Sequence, residues 1–157
     1  MKIIGVDPGI CNTGWAIVQL DSTVDCLLDG GVISTKPMSR ASAMRSEDYI
    51  RRMGDIQDGL EAAIVKHAPH VAMVEGIAGS RSNKAVVGMT IGFCTAVLTL
   101  RSYNLQPVTM LASQVRQMLP QGLRTGHGLK SKGFTREVVM DRFGQDVCEK
   151  IMEGLAA

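Results

Sequence analysis

The first third of the chain carries short apolar blocks, and a helical period takes over after Pro37. Lys2–Asp7, Thr13–Leu20 and Val24–Thr35 read as three consecutive strands, separated by turn chemistry at Pro8-Gly9 with Asn12 and at Asp21-Ser22. Met44–His67 predicts a long amphipathic helix. Ile50, Met53, Ile56, Leu60 and Ile64 recur at helical spacing, while Arg51, Arg52, Asp55, Asp58, Glu61 and Lys66 form a solvated face. Pro69 ends that helix, and His70–Glu75 reads as a short buried strand ending in an acid, as the first strand does. Ala85–Leu100 is an apolar helix in which Gly88, Gly92 and Ala96 repeat regularly. That row serves either burial against another backbone or a dimer face. Pro107–Leu111 predicts a fifth strand, and Ser113 the cap of a short helix through Met118. A loop over 120–128, a basic helix over Ser131–Phe143 and an acidic one from Gln145 complete the order. Without repeat, low-complexity tract or linker, residues 1–157 are expected to form one domain.

This order is mixed α/β, with five strands flanked by helices, and it can set the ends of strands one and four side by side at the sheet centre. Asp7 follows Ile3, Ile4 and Val6, where a carboxylate is costly to bury without a partner; Asp before Pro-Gly is also sound turn chemistry. Asp7 and Glu75 brought together repel one another unless a cation bridges them. Hard oxygen donors favour Mg²⁺ or Mn²⁺ over zinc. Two such ions about 3.5–4 Å apart form the clamp used in phosphodiester hydrolysis. A pair of acids needs one or two more, and Asp146 and Glu149, with Glu153 beyond, share one helix face. Acids near a helix N-terminus are also favourable without any metal.

At 157 residues the chain is long enough to bury a core, and its net charge of +2 argues only weakly for nucleic acid. Distribution says more. No Asp or Glu occurs from Gly76 to Arg136, where Arg81, Lys84, Arg101, Arg116, Arg124, Lys130, Lys132 and Arg136 lie. A basic face for a polyanion beside a separate acidic cluster fits this asymmetry, as does a merely solvated basic surface. Aromatics at 4% are too sparse for a base-stacking platform, so contact with the backbone of duplex or branched nucleic acid fits better. Cys11, Cys26, Cys94 and Cys148 show neither zinc spacing nor a disulfide framework, which suits a reduced cytoplasm. No run is expected to reach membrane length and no signal-peptide pattern opens the chain, so no membrane partner is expected. The Met residues read as core filler, and His67 and His70 as surface or packing residues.

Ile4-Gly5-Val6-Asp7-Pro8-Gly9 with Thr13-Gly14, then Val74-Glu75 before a small-residue helix, resembles the RuvC family of Holliday-junction resolvases. The resemblance implies an RNase H-like fold and an Mg²⁺-dependent endonuclease that cuts four-way or branched DNA as a homodimer, with two ions per site (Mn²⁺ an alternative). It places Asp7 and Glu75 among the metal ligands and catalytic acids, with Asp146 and Glu149 as the closing pair. Arg116 and Lys132 resemble basic positions of the family's DNA-binding surface, to which the basic window adds Arg81, Lys84, Lys130 and Arg136. Two departures stand out. Ala78 and Gly79 occupy the place of the family's aromatic wedge, and Ala157 follows soon after the acidic helix. Either Asp146 and Glu149 are the closing acids, or those acids lie beyond the sequence. A resolvase this compact suits a bacteriophage, and a bacterial cytoplasm as its setting. A junction-binding module without catalysis is the alternative reading. An actin-like nucleotide-binding protein is another, but it needs a second lobe for which there is no room.

Overall fold

In the computed structural model, residues 1–21, 25–38, 45–77 and 83–118 are described. They comprise strands β1 (Lys2–Asp7), β2 (Asn12–Gln19), β3 (Cys26–Ser34), β4 (Val71–Glu75) and β5 (Pro107–Met110), with helices α1 (Arg45–His67), α2 (Asn83–Ser102) and α3 (Ala112–Met118). The sheet runs β3-β2-β1-β4-β5, so strands one and four lie side by side as expected. β1, β2 and β3 pair antiparallel, whereas β1–β4 and β4–β5 pair parallel. β1 is thus central, between a hairpin partner and a crossover partner.

One face of the sheet forms the core. Ile4, Val6, Ile17, Ala72 and Val74 meet Ile56, Leu60 and Ile64 of α1 and Ala96 and Leu100 of α2. Full burial of such a side chain contributes about 1.5–3 kcal/mol, which is why these positions set the helix orientations. Where α1 crosses β3, a Cβ on Gly59 would lie 2.6 Å from Ile33, so glycine is what lets helix and strand meet.

The helix ends follow local rules. Asn104, at φ 60°, closes α2 in a Schellman motif: its N–H donates to Arg101 and the Leu105 N–H to Leu100. Ala68, at φ 46°, closes α1 ahead of Pro69. Ser113 is not a cap, contrary to expectation. It lies inside α3, and Gln114 Oε1 reaches back to the Leu111 N–H at 2.8 Å, one half of a capping box.

Three further expectations change. Ile50 is 69% exposed rather than part of the buried stripe. No methionine belongs to the buried core cluster among the described residues, and Met1 and Met38 are exposed. Ala85–Ser102 is, by length and composition, apolar enough to cross a membrane. In this fold its Ala96 and Leu100 are fully buried in the core, and Thr95 and Thr99 bond back to helix carbonyls. His67 is half-buried and His70 exposed, as expected, and both hydrogen-bond: His67 Nε2 meets Asp29 Oδ2 at 2.7 Å, and His70 Nδ1 accepts the Lys2 N–H at 3.0 Å.

Candidate active site

Strand alternation sends Ile4 and Val6 of β1, and Ala72 and Val74 of β4, to the helix-covered face. Asp7 and Glu75 therefore belong to the opposite face. Val6 pairs with Val74 in the parallel register, so the next residue on each strand, Asp7 and Glu75, leaves the sheet at the same level. Adjacent strands stand about 4.8 Å apart, close enough for one cation to lie between two carboxylates. Asp7 is exposed and Glu75 half-buried. On β2, Gly14 faces Asp7, and a Cβ there would lie 3.7 Å from the Asp7 Cβ, so glycine leaves room beside the acid. Beyond Glu75, the Gly76 N–H donates to the Met110 carbonyl at 2.8 Å and holds β4 in line.

The turn after Asp7 is gripped from three sides. Within it, a Cβ on Gly9 would sit 2.6 Å from the Asn12 carbonyl oxygen, and the buried Thr13 hydroxyl donates to the Gly9 carbonyl at 2.9 Å. From α2, Gly92 approaches so closely that a Cβ would lie 3.0 Å from the backbone of Gly9 and Ile10, and one on Gly88 would lie 2.9 Å from Ile10. Those two glycines thus serve the turn of their own chain. From α1 comes Arg52, only 4% exposed. Its Nη2 donates to the Ile10 carbonyl and to Cys11 Sγ, each at 3.0 Å, and its Nε to the Thr35 hydroxyl at 2.8 Å. The Thr35 hydroxyl in turn donates to the Ile10 carbonyl, and the Thr35 N–H to the Cys11 carbonyl at 2.9 Å.

Arg52 therefore departs from the solvated face expected for it. The signal lay in its spacing, since Arg52, Ile56 and Leu60 share one helical stripe. Asp48, one turn earlier, faces the guanidinium at 3.5 Å. The Met38 N–H bonded to Asp48 holds its carboxyl below the usual range, against partial burial, with Arg51 and Arg52 adding to the effect.

Asp7 and Glu75 fit a hard divalent cation, because both donors are carboxylates and Mg²⁺ is commonly held by one or two of them plus water. Among the described residues no group of three or more His, Cys, Asp or Glu gathers into a larger site. Asp146, Glu149, Arg81, Lys130, Lys132 and Arg136 lie outside the described residues. Lys84 falls in the first turn of α2, and Arg116 in α3, which begins just past the β5 residue paired with Glu75.

A family model described as crossover junction endodeoxyribonuclease RuvC matches residues 3–140. The chain belongs to the RuvC family. The family's enzyme from Neorickettsia sennetsu is 28% identical over 148 residues, covering 92% of this chain and 80% of that protein. That of a Wolbachia pipientis strain from Culex pipiens is 30% identical over 134 residues, covering 85% and 73%. Among solved structures, Thermus thermophilus RuvC in complex with Holliday junction substrate superposes with a TM-score of 0.73. It is 18% identical, with 96% of this chain and 89% of that one covered, and it supports the fold: an RNase H-like mixed five-stranded sheet flanked by helices.

Proposed function

We propose that this chain is a divalent-metal-dependent endonuclease that resolves four-way or otherwise branched DNA junctions. The observation that carries it is the level placement of Asp7 and Glu75 on adjacent parallel strands in a chain of the RuvC family. In this reading Asp7 and Glu75 are oxygen ligands for Mg²⁺ or Mn²⁺, two ions per site, and Asp146 and Glu149 complete the set. When bound, the ions activate water and stabilise the leaving oxygen in phosphodiester hydrolysis. The chain itself supplies two carboxylates on adjacent strands and a sheet face on which Asp7 is exposed. Arg81, Lys84, Arg116, Lys130, Lys132 and Arg136 hold phosphates, which makes affinity fall steeply with salt.

Two copies acting across one junction give paired nicks. The outward stripe of α2 supports a dimer: Val87 is 47% and Leu98 63% exposed, with Ile91 and Cys94 between them. A two-fold axis through such a stripe sets two sites on opposing strands.

The test is a labelled synthetic four-way junction incubated with and without Mg²⁺. Symmetric nicks seen only with metal are the expected result. Tight binding without cutting under any metal points to the binding module instead, and equal affinity for plain duplex overturns both.

A further inference from the structure

We propose that Arg52 is a positioning residue for the metal site: it clamps the turn that follows Asp7 and so fixes the reach of that carboxylate. The inference rests on the reading of Asp7 as a metal ligand.

A buried guanidinium is costly unless every donor finds a partner. Arg52 uses all three of its nitrogens: Nε on Thr35, Nη1 toward Asp48, and Nη2 on Ile10 and Cys11. Two of those partners, Ile10 and Cys11, belong to the turn between Asp7 and β2. A third, Thr35, hydrogen-bonds that same turn twice on its own account, through its hydroxyl and its N–H. Asp48, on α1, anchors the guanidinium from behind.

Pro8 has no N–H to give, and Gly9 leaves no side chain to pack. Gly88 and Gly92 bear on Gly9 and Ile10 from α2, so the segment sits between a helix backbone and a guanidinium. Asp7 is the last residue of β1, and its backbone enters this turn directly. Displacing Ile10 or Cys11 is therefore expected to shift the carboxylate relative to Glu75, which is paired independently with Met110 of β5. Lysine cannot replace the function: one ammonium cannot reach Thr35, Ile10 and Asp48 from a single point, whereas the planar fork of arginine does.

The test compares Arg52→Lys, Thr35→Val, Thr35→Ser and Asp7→Asn. Direct Mn²⁺ binding is followed by electron paramagnetic resonance, alongside Mn²⁺-dependent junction cleavage and metal-free junction binding, at a temperature where circular dichroism shows each variant folded. Arg52→Lys is expected to raise the Mn²⁺ concentration for half-binding and half-maximal cleavage about tenfold, as loss of an outer-shell partner does. Metal-free junction affinity should stay at the wild-type level. Thr35→Val should shift the Mn²⁺ dependence in the same direction, and Thr35→Ser, which keeps the hydroxyl, should restore it. If Arg52→Lys fails to fold, the Thr35 pair decides. A lowered melting temperature with an unchanged Mn²⁺ dependence in both Arg52→Lys and Thr35→Val, while Asp7→Asn abolishes Mn²⁺ binding, makes Arg52 merely structural and overturns the proposal. Undiminished Mn²⁺ binding and cleavage by Asp7→Asn removes the reading of Asp7, and the proposal with it.

Discussion

Asp7 and Glu75 end adjacent parallel strands at one level of the sheet, one residue beyond the paired Val6 and Val74. Because side-chain direction alternates along a strand, a slip of one residue in that register would send one of the two acids to the helix-covered face. The geometry that makes them a pair is therefore the same geometry that buries Val6 and Val74.

Asp7→Asn and Glu75→Gln should each lower junction cleavage by more than about 100-fold, beyond the usual cost of losing an outer-shell partner. Junction binding without metal should persist, because neither acid contributes positive charge to a phosphate. Gel-shift and cleavage assays on the same preparations separate the two effects. Loss of binding together with cleavage would count against the metal role.

Gly54 and Gly92 should respond oppositely to alanine. Both lie inside helices, where alanine is favoured by about 1 kcal/mol. A Cβ on Gly54 meets nothing within 4 Å, so Gly54→Ala should stabilise by nearly that amount. On Gly92 the new methyl meets the Gly9 and Ile10 backbone at 3.0 Å. Overpacking of this kind costs about 1–3 kcal/mol, enough to cancel or reverse the gain. Denaturant midpoints measure both changes, and Gly92→Ala should also impair cleavage.

Ala68 adopts φ 46° at the end of α1, where glycine carries no Cβ penalty. Ala68→Gly should raise stability by about 0.5–1 kcal/mol, the penalty outweighing the extra freedom of the unfolded glycine. A lower thermal midpoint would sink that expectation.

Asp29 accepts from Lys66 and His67, each at 2.7 Å. Burial pushes its carboxyl up, but Lys66, His67 and the Gly30 N–H outweigh this, leaving it below the ordinary 3.8. A depressed carboxyl contributes stability that is fully present above its unfolded value and is lost as pH falls through the folded one. Asp29→Asn should thus cost up to about 1 kcal/mol near neutral pH, since the cluster is partly solvated. The gap between wild type and variant should close below pH about 4, as carboxyl protonation sets in. Urea titrations across pH read this directly.

Leu98→Glu puts a charge on the outward stripe of α2, where Leu98 is 63% exposed. If that stripe joins two copies, the variant should weaken dimerisation by about tenfold or more, since unpaired charge in an apolar contact is costly. Light scattering after size exclusion reports the mass, and paired nicks should become single ones. A wild-type dimer would place the interface elsewhere.

Much of this protein was legible along the chain because the relevant signals are local. Strand and helix periods, turn pairs such as Pro8-Gly9 and the acids at two strand ends depend on residues a few positions apart, and the observed elements agree with them closely. Even the nearness of Asp7 and Glu75 followed from element order, since a crossover connection favours adjacent parallel strands. Tertiary structure decided what periodicity cannot express, namely which neighbour covers a given face. Arg52 has the chemistry of a solvated residue and the position of a buried one, and its partners on Ile10, Cys11, Thr35 and Asp48 offset the cost of that burial. Gly88 and Gly92 were equally consistent with a partner chain until the turn after Asp7 was found against them. Ser113 lost its capping place because α3 starts at Ala112, where Gln114 Oε1 takes the Leu111 N–H instead. For Arg52 and for the two glycines the deciding contact joins segments far apart in sequence, and its energy depends on a partner that no local pattern names.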